Sequence, residues 1–293
     1  DFFTRQMDYV FFVYGLCFFL LATMLHGMGR RTGDAMPWPL LAGFALLHGA
    51  NEWLDLLSLA LDDDPQWLAI RPMLLASSFF CLLEFARRGT VSLGGQRPGR
   101  WLIPTLLGLA ALGGLAGSPG LSATIRYALG LTGGLWTAWI LWRYRERASV
   151  GRTELAVAAI AMAFYAVAAG AIVPQTEFLP AVLLNQEAFL AATATPIQVW
   201  RGMLAGVIAL AFLRFTATHR RPVTDLWVEP PALYGMKINM VMGLGGFEAL
   251  AGLFENSFGV RPDYYVMVNF AGFTKLIDRL GGECDAYTAK ETV

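Results

Sequence analysis

Seven apolar stretches, at about 8–28, 37–61, 67–86, 101–117, 122–142, 154–174 and 195–215, set the terms on which this chain can fold. Each approaches the roughly 20 residues an α-helix needs to cross the hydrocarbon core of a bilayer. The connections between them alternate in chemistry. Arginines gather at every second one: Arg30 and Arg31, then Arg87, Arg88, Arg97 and Arg100, then Arg143, Arg145, Arg147 and Arg152, then Arg214, Arg220 and Arg221. The intervening connections carry Asp62, Asp63 and Asp64, and later Glu177 and Glu187. Basic loops stay on the cytoplasmic side, so the pattern predicts seven transmembrane helices with the N-terminus outside and residue 222 inside. The first stretch is followed by arginines and reads as a retained helix rather than a cleaved signal.

The chain has 293 residues, of which 56% are hydrophobic and 15% charged, too apolar a balance for an ordinary soluble domain. Its formal net charge of zero conceals a segregation of bases. Arginine alone serves the first three quarters, and Lys237, Lys275 and Lys290 all fall in the last. That shift marks a domain boundary. The expected organisation is an all-α integral membrane domain over 1–221, a proline-rich linker over 222–232, and a small α/β fragment over 233–293. In the fragment, Phe247–Phe258 reads as an amphipathic helix, Tyr264–Asn269 as a strand, and Phe270–Leu280 as a helix closed by Gly281 and Gly282. Trp38, Trp67, Trp101, Trp142 and Trp200 fall near span ends, where an aromatic belt is expected. Gly113, Gly114, Gly117 and Gly120 mark the turn between the fourth and fifth spans, and Gly130, Gly133 and Gly134 suit close packing in the fifth. Pro180–Leu184, in the longest outer connection, reads as a short interfacial helix.

Charged groups inside membrane spans are costly and are candidates for function. His48, Glu52 and Asp55 stand at i, i+4 and i+7, on one helical face. At about 1.5 Å per residue, Asp55 lies roughly 8 Å and Glu52 roughly 13 Å from the outer end of its span. Arg71, Arg126 and Arg201 fall about 6–10 Å below the same surface, with Gln198 one turn above Arg201. Two readings of this layer stand. The groups pair and tie the helices together, or they line an outward-facing pocket for a small, anionic ligand, since three cations exceed two acids. No cofactor is expected. His26 and His48 lie at different depths, which argues against a bis-histidine haem. The seventh span has no lysine for a retinal Schiff base. His48 and Glu52 are half a metal site without a third ligand, so a hydrogen-bonded core histidine is the expectation. Cys17, Cys81 and Cys284 form no disulfide framework or metal spacing.

Tyr9-Val-Phe-Phe-Val-Tyr-Gly-Leu-Cys-Phe-Phe-Leu, followed by Leu47-His48-Gly49-Ala50-Asn51-Glu52-Trp53-Leu54-Asp55, resembles the N-terminal membrane sensor region of bacterial histidine kinases and diguanylate cyclases. The resemblance implies a signal-transduction input module in the bacterial cytoplasmic (inner) membrane. No phosphoacceptor helix, kinase motif or Gly-Gly-Asp-Glu-Phe motif follows Arg221. Over about 233–283 the chain resembles the LytR-CpsA-Psr cell-wall ligases, on Lys237-Ile238-Asn239, Gly245-Gly246, Glu255-Asn256, Phe258-Gly259-Val260, Asp263-Tyr264-Tyr265-Val266, Phe270, Phe273, Ile277-Asp278 and Leu280-Gly281-Gly282. That resemblance implies extracytoplasmic transfer of glycopolymers from a polyprenyl-pyrophosphate carrier to peptidoglycan. The Asp- and Arg-bearing stretches that hold pyrophosphate and metal in that family are absent from this fragment. The leading expectation is therefore a sensor or receptor-like module, non-enzymatic as it stands. Its alternatives are an accessory subunit of a larger membrane complex and the remnant of a cell-wall glycopolymer transferase. The expected partners are the lipid bilayer, a small anionic ligand, and other integral subunits or a second copy, with no nucleic acid.

Overall fold

The computed structural model describes residues 2–28, 35–60, 65–96, 98–99, 101–218, 227–228, 236–258 and 261, with the backbone alone at 60, 65–69, 227–228, 236–245 and 257–258. The chain divides into two compact units, Asp1–Arg220 and Arg221–Val293.

The first unit is built of helices: α1 (Phe2–Arg5), α2 (Met7–His26), α3 (Trp38–Ala60), α4 (Pro65–Ser92), α5 (Leu102–Leu112), α6 (Gly117–Ile125), α7 (Thr132–Arg147), α8 (Arg152–Gly170), α9 (Gln186–Thr193) and α10 (Ile197–Thr218). A 3-10 turn at Gly113–Ala116 joins α5 to α6, and a π-helical turn at Arg126–Leu131 joins α6 to α7. Helices α2, α3, α4, α7, α8 and α10 close a ring in which each packs on the next and α10 returns to α2. Helix α5 lies beside the ring, against α6 and the π turn.

The faces are set by the residues. On α2, Phe11, Tyr14, Phe18, Leu21 and Leu25 recur every three or four positions and are buried. The opposite side carries Phe12, Val13, Leu16 and Leu20, all exposed. A helix apolar on every side suits a membrane rather than a water-facing surface. Among the described residues four helical runs are long and apolar enough to cross one: Met7–His26, Leu102–Arg147 (interrupted at Gly117), Arg152–Gly170 and Ile197–Thr218. Helix α3 is diluted by His48, Asn51, Glu52 and Asp55, and the first side chains of α4 lie outside the described residues.

Several expectations are refined. The unit is helical with candidate membrane spans, but seven separate spans are not shown: α5 is only 11 residues long, and the chain from Gly117 to Arg147 is helical without a break. The reversal falls at Gly117, whose φ of 76° is a left-handed conformation that glycine adopts without a Cβ penalty. Helix α4 runs on to Ser92, so Arg87 and Arg88 sit inside a helix, not in a connection. Trp38 is fully buried against Phe85, Tyr144 and Phe212, and is core rather than belt. Trp101, Trp142 and Trp200 are exposed, and the side chain of Trp67 lies outside the described residues. Pro180–Leu184 forms turns instead of a helix. The helix starts one turn later, where the Asn185 side chain accepts a hydrogen bond from the Ala188 amide at 2.8 Å. The close packing expected in the fifth stretch is present: a Cβ on Gly134 would sit 2.6 Å from that of Ala166.

In the second unit, β1 (Trp227–Val228) and β2 (Met236–Lys237) pair antiparallel, Trp227 opposite Lys237. Helix α11 (Ile238–Phe258) comes next and is broken at Gly246, where φ is 65°. Arg261 binds Glu248 at 2.6 Å and Glu255 at 3.1 Å, and these carboxylates hold its guanidinium above the ordinary arginine range. The expected α/β fragment lies largely outside the described residues. They give a helix and a two-residue strand pair, and the expected strand at 264–269, helix at 270–280 and Cys284 lie outside them.

Candidate functional site

Four ring helices meet at His48, which is fully buried. Its Nδ1 lies 3.1 Å from Ser78 Oγ on α4, and its Nε2 2.7 Å from the Tyr165 hydroxyl on α8. Tyr165 is in turn 2.7 Å from the Tyr14 hydroxyl on α2. The proton directions can be assigned by elimination. Ser78 donates its only proton to the Leu75 carbonyl at 2.7 Å, so it accepts from His48 Nδ1–H. In neutral His48 the Nε2 lone pair then accepts from Tyr165, and Tyr165 accepts from Tyr14. His48 is therefore a hydrogen-bonded core residue, as its surroundings in sequence suggest. It stands behind Glu52, whose Oε1 is 3.5 Å from Nε2 and accepts from Asn51 Nδ2 at 3.3 Å.

Beyond Glu52 opens a partly enclosed cavity of about 340 Å³, within the range of small-molecule sites. Glu52, Asp55, Arg71, Arg126, Gln198 and Arg201 all line it, so six of the seven candidate residues converge and only His48 stands off the wall. They come from one end of the bundle, opposite the arginine-rich turns. Three interruptions of regular helix cluster there. Pro72 lacks an amide donor inside α4, the π turn begins at Arg126, and the chain leaves helical form after Gly170.

The charges are arranged by depth. Asp55 and Arg71 form an ion pair in which Arg71 is about one-third exposed, at 34%. Arg126 and Arg201 are buried, at 7% and 3%. Arg126 Nη1 donates to the Ala169 carbonyl at 3.1 Å. Arg201 Nε donates to Ala168 O at 2.9 Å and Nη2 to Ile172 O at 2.5 Å. These carbonyls belong to the last turn of α8 and just beyond, where helix carbonyls lack intrahelical partners and the helix end is electronegative. Both arginines are thus seated by a helix C-terminus. Among the described residues neither makes an ion pair with Glu52 or Asp55. Arg126 Nε is buried and has no hydrogen-bond partner among the described residues.

Sequence reasoning did not single out Tyr14, Ser78 and Tyr165 of the histidine network, nor Ser118, Ser122 and Gln186 on the cavity wall. Two signals were available. Tyr165 is the sole polar side chain between Leu155 and Gly170, and Ser118 and Ser122 are spaced to share a helix face.

Comparison with known proteins speaks to the other unit. Residues 223–284 match the LytR_cpsA_psr family. The same region is similar to the protein described as Regulatory protein MsrR of Staphylococcus aureus strain COL, 39% identical over 56 residues, and to that of strain Mu50, 38% identical over 56 residues. The aligned part is 19% of this chain and 17% of either relative, so the chain spans about a sixth of the length of the curated relatives it matches. No solved structure matches. These findings overturn the expectation of a signal-transduction sensor or receptor-like module. What adjoins the membrane helices matches a family associated with cell-wall glycopolymers, not a signalling output.

Proposed function

We propose that the chain is a multi-pass protein of the bacterial cytoplasmic membrane with a role in cell-wall glycopolymer assembly. The observation that carries this reading is the LytR_cpsA_psr match over 223–284, in a chain whose described residues include four helical runs long and apolar enough to cross a membrane.

The reading makes a demand on topology. A segment that acts on wall polymers belongs outside the membrane, whereas seven crossings oriented by the arginines carry residue 222 inside. Labelling Cys284 with a membrane-impermeant maleimide decides between these in intact and permeabilised cells, after Cys17 and Cys81 are replaced by alanine. Reaction in intact cells is expected on the glycopolymer reading. Reaction only after permeabilisation would overturn it. Deleting the gene should also lower wall-linked glycopolymer in purified sacculi, and the full chain, but not one truncated after Arg220, should restore it.

A further inference from the structure

We propose that the cavity in the first unit binds a tetrahedral oxyanion of the phosphate class, as free phosphate or as a phosphomonoester headgroup. The inference concerns residues 1–218 alone and goes beyond the glycopolymer reading, which rests on the C-terminal unit.

Three guanidiniums face two carboxylates on the cavity wall, a formal excess of one positive charge. Asp55 is already taken up by Arg71 at the more exposed edge. The deeper pair, Arg126 and Arg201, has no carboxylate within ion-pair distance among the described residues. Backbone carbonyls orient both side chains but supply no full negative charge. Glu52, beyond ion-pair distance, is the one carboxylate left on the wall to offset these two buried cations; the uncompensated charge is costly, and a bound anion removes that cost.

Unused donors point the same way. Arg126 lines the cavity and its buried Nε has no partner among the described residues, nor does Arg201 Nη1 make a hydrogen bond among them. Gln198, Ser118 and Ser122 add polar groups from other sides of the cavity. Guanidinium forks match carboxylates and phosphates alike. The donors come from four elements, α4, α6, the π turn and α10, and phosphate offers more acceptor oxygens to such a set than a carboxylate does. The cavity is large enough for a phosphate with part of an attached headgroup.

The test uses the full chain purified in detergent, with thermal stability followed against sodium phosphate, sodium acetate and sodium chloride at matched ionic strength. Phosphate should raise Tm saturably while chloride and acetate do not. Arg126→Gln should weaken the response on the order of tenfold to a hundredfold, the loss expected for one charge-assisted interaction. Arg126→Lys should retain part of the response, and Arg143→Gln, on the opposite surface, all of it. A parallel arm compares nanodiscs of phosphatidylcholine with and without phosphatidic acid. Stabilisation by phosphatidic acid alone assigns the anion to a lipid headgroup, and stabilisation by phosphate assigns it to a soluble ligand; either upholds the oxyanion site. An equal response to chloride, a response to acetate instead of phosphate, or none in either arm overturns it. These outcomes are read on the native chain, so they stand even where a variant fails to fold.

Discussion

The proton directions deduced around His48 lead to a double-mutant cycle with an unusual sign. Tyr165 is the middle of the chain, donating to His48 Nε2 and accepting from Tyr14, each at 2.7 Å and with all three residues at 1% exposure or less. Tyr165→Phe removes both bonds and strands two buried groups, the His48 lone pair and the Tyr14 hydroxyl. A neutral hydrogen bond contributes about 1 kcal/mol net, and an unsatisfied buried group costs about 1–3 kcal/mol. Values between membrane helices fall at the lower end, about 0.6–2 kcal/mol. The expected loss is therefore about 2–4 kcal/mol. Tyr14→Phe removes one donor and leaves Tyr165 bound to His48, for about 0.5–1.5 kcal/mol on the same scale. In Tyr14→Phe/Tyr165→Phe the stranded Tyr14 hydroxyl is gone as well. The double variant should thus be no less stable than Tyr165→Phe alone, and by about 1 kcal/mol more stable where that hydroxyl found no new partner. Equilibrium unfolding of the detergent-solubilised chain by SDS, followed by circular dichroism, measures all three. Additive costs, or a Tyr14→Phe loss equal to that of Tyr165→Phe, would refute the directions assigned to the network.

Packing and charge give two further outcomes. Glu84 accepts from Arg87 Nε at 2.6 Å and Nη2 at 2.7 Å, and from Arg88 Nε at 2.6 Å, while Arg87 Nη1 is already without a partner. Glu84→Ala leaves a buried guanidinium uncompensated and should cost about 3–5 kcal/mol in the same unfolding assay, whereas Arg143→Ala, from an exposed pair, should change it by less than about 1 kcal/mol. Gly134→Val drives a side chain into Ala166 across the α7–α8 contact and should lower stability by about 1–3 kcal/mol, while Gly108→Ala, with nothing within 4 Å, should be neutral or stabilising in thermal melts.

The apolar stretches were legible because hydropathy over about twenty residues is a summed signal that no single side chain can reverse. Their ends were less so. Arg87 and Arg88 read as a loop by charge, yet both pair with Glu84 one turn earlier within α4, which continues to Ser92. The convergence of Glu52, Asp55, Arg71, Arg126, Gln198 and Arg201 was legible from depth counting, since a fixed rise per residue converts sequence position into height. Depth does not report what lies across the bundle. The Asp55–Arg71 pair was among the pairings open in the sequence. The partners of Arg126 and Arg201 were not, because they are carbonyls, and no side-chain chemistry advertises where a helix such as α8 stops. The π turn was hidden for the same reason: it is a backbone choice.

That backbone choice bears on how the cavity exists at all. A π turn winds one more residue per hydrogen bond than an α turn, so it rotates α6 on one side of it relative to α7 on the other. Arg126 opens the turn, and Leu131 at its close lies under Gly170, where a Cβ would sit 2.6 Å from the Leu131 amide nitrogen. The close approach sets the end of α8 directly against the turn, within reach of the Arg126 side chain. The same end of α8 receives Arg201 from α10. One helix C-terminus thus gathers two cations from two separate elements, and its carbonyls orient them without neutralising them. Carboxylates in the same positions would have oriented the arginines too, but would have left no charge for a ligand. A helix terminus is the arrangement that fixes a guanidinium and still leaves its charge available. Direct ion pairing accounts for Asp55 and Arg71, and the carbonyl-seated Arg126 and Arg201 are the part of the layer on which the proposed anion site rests.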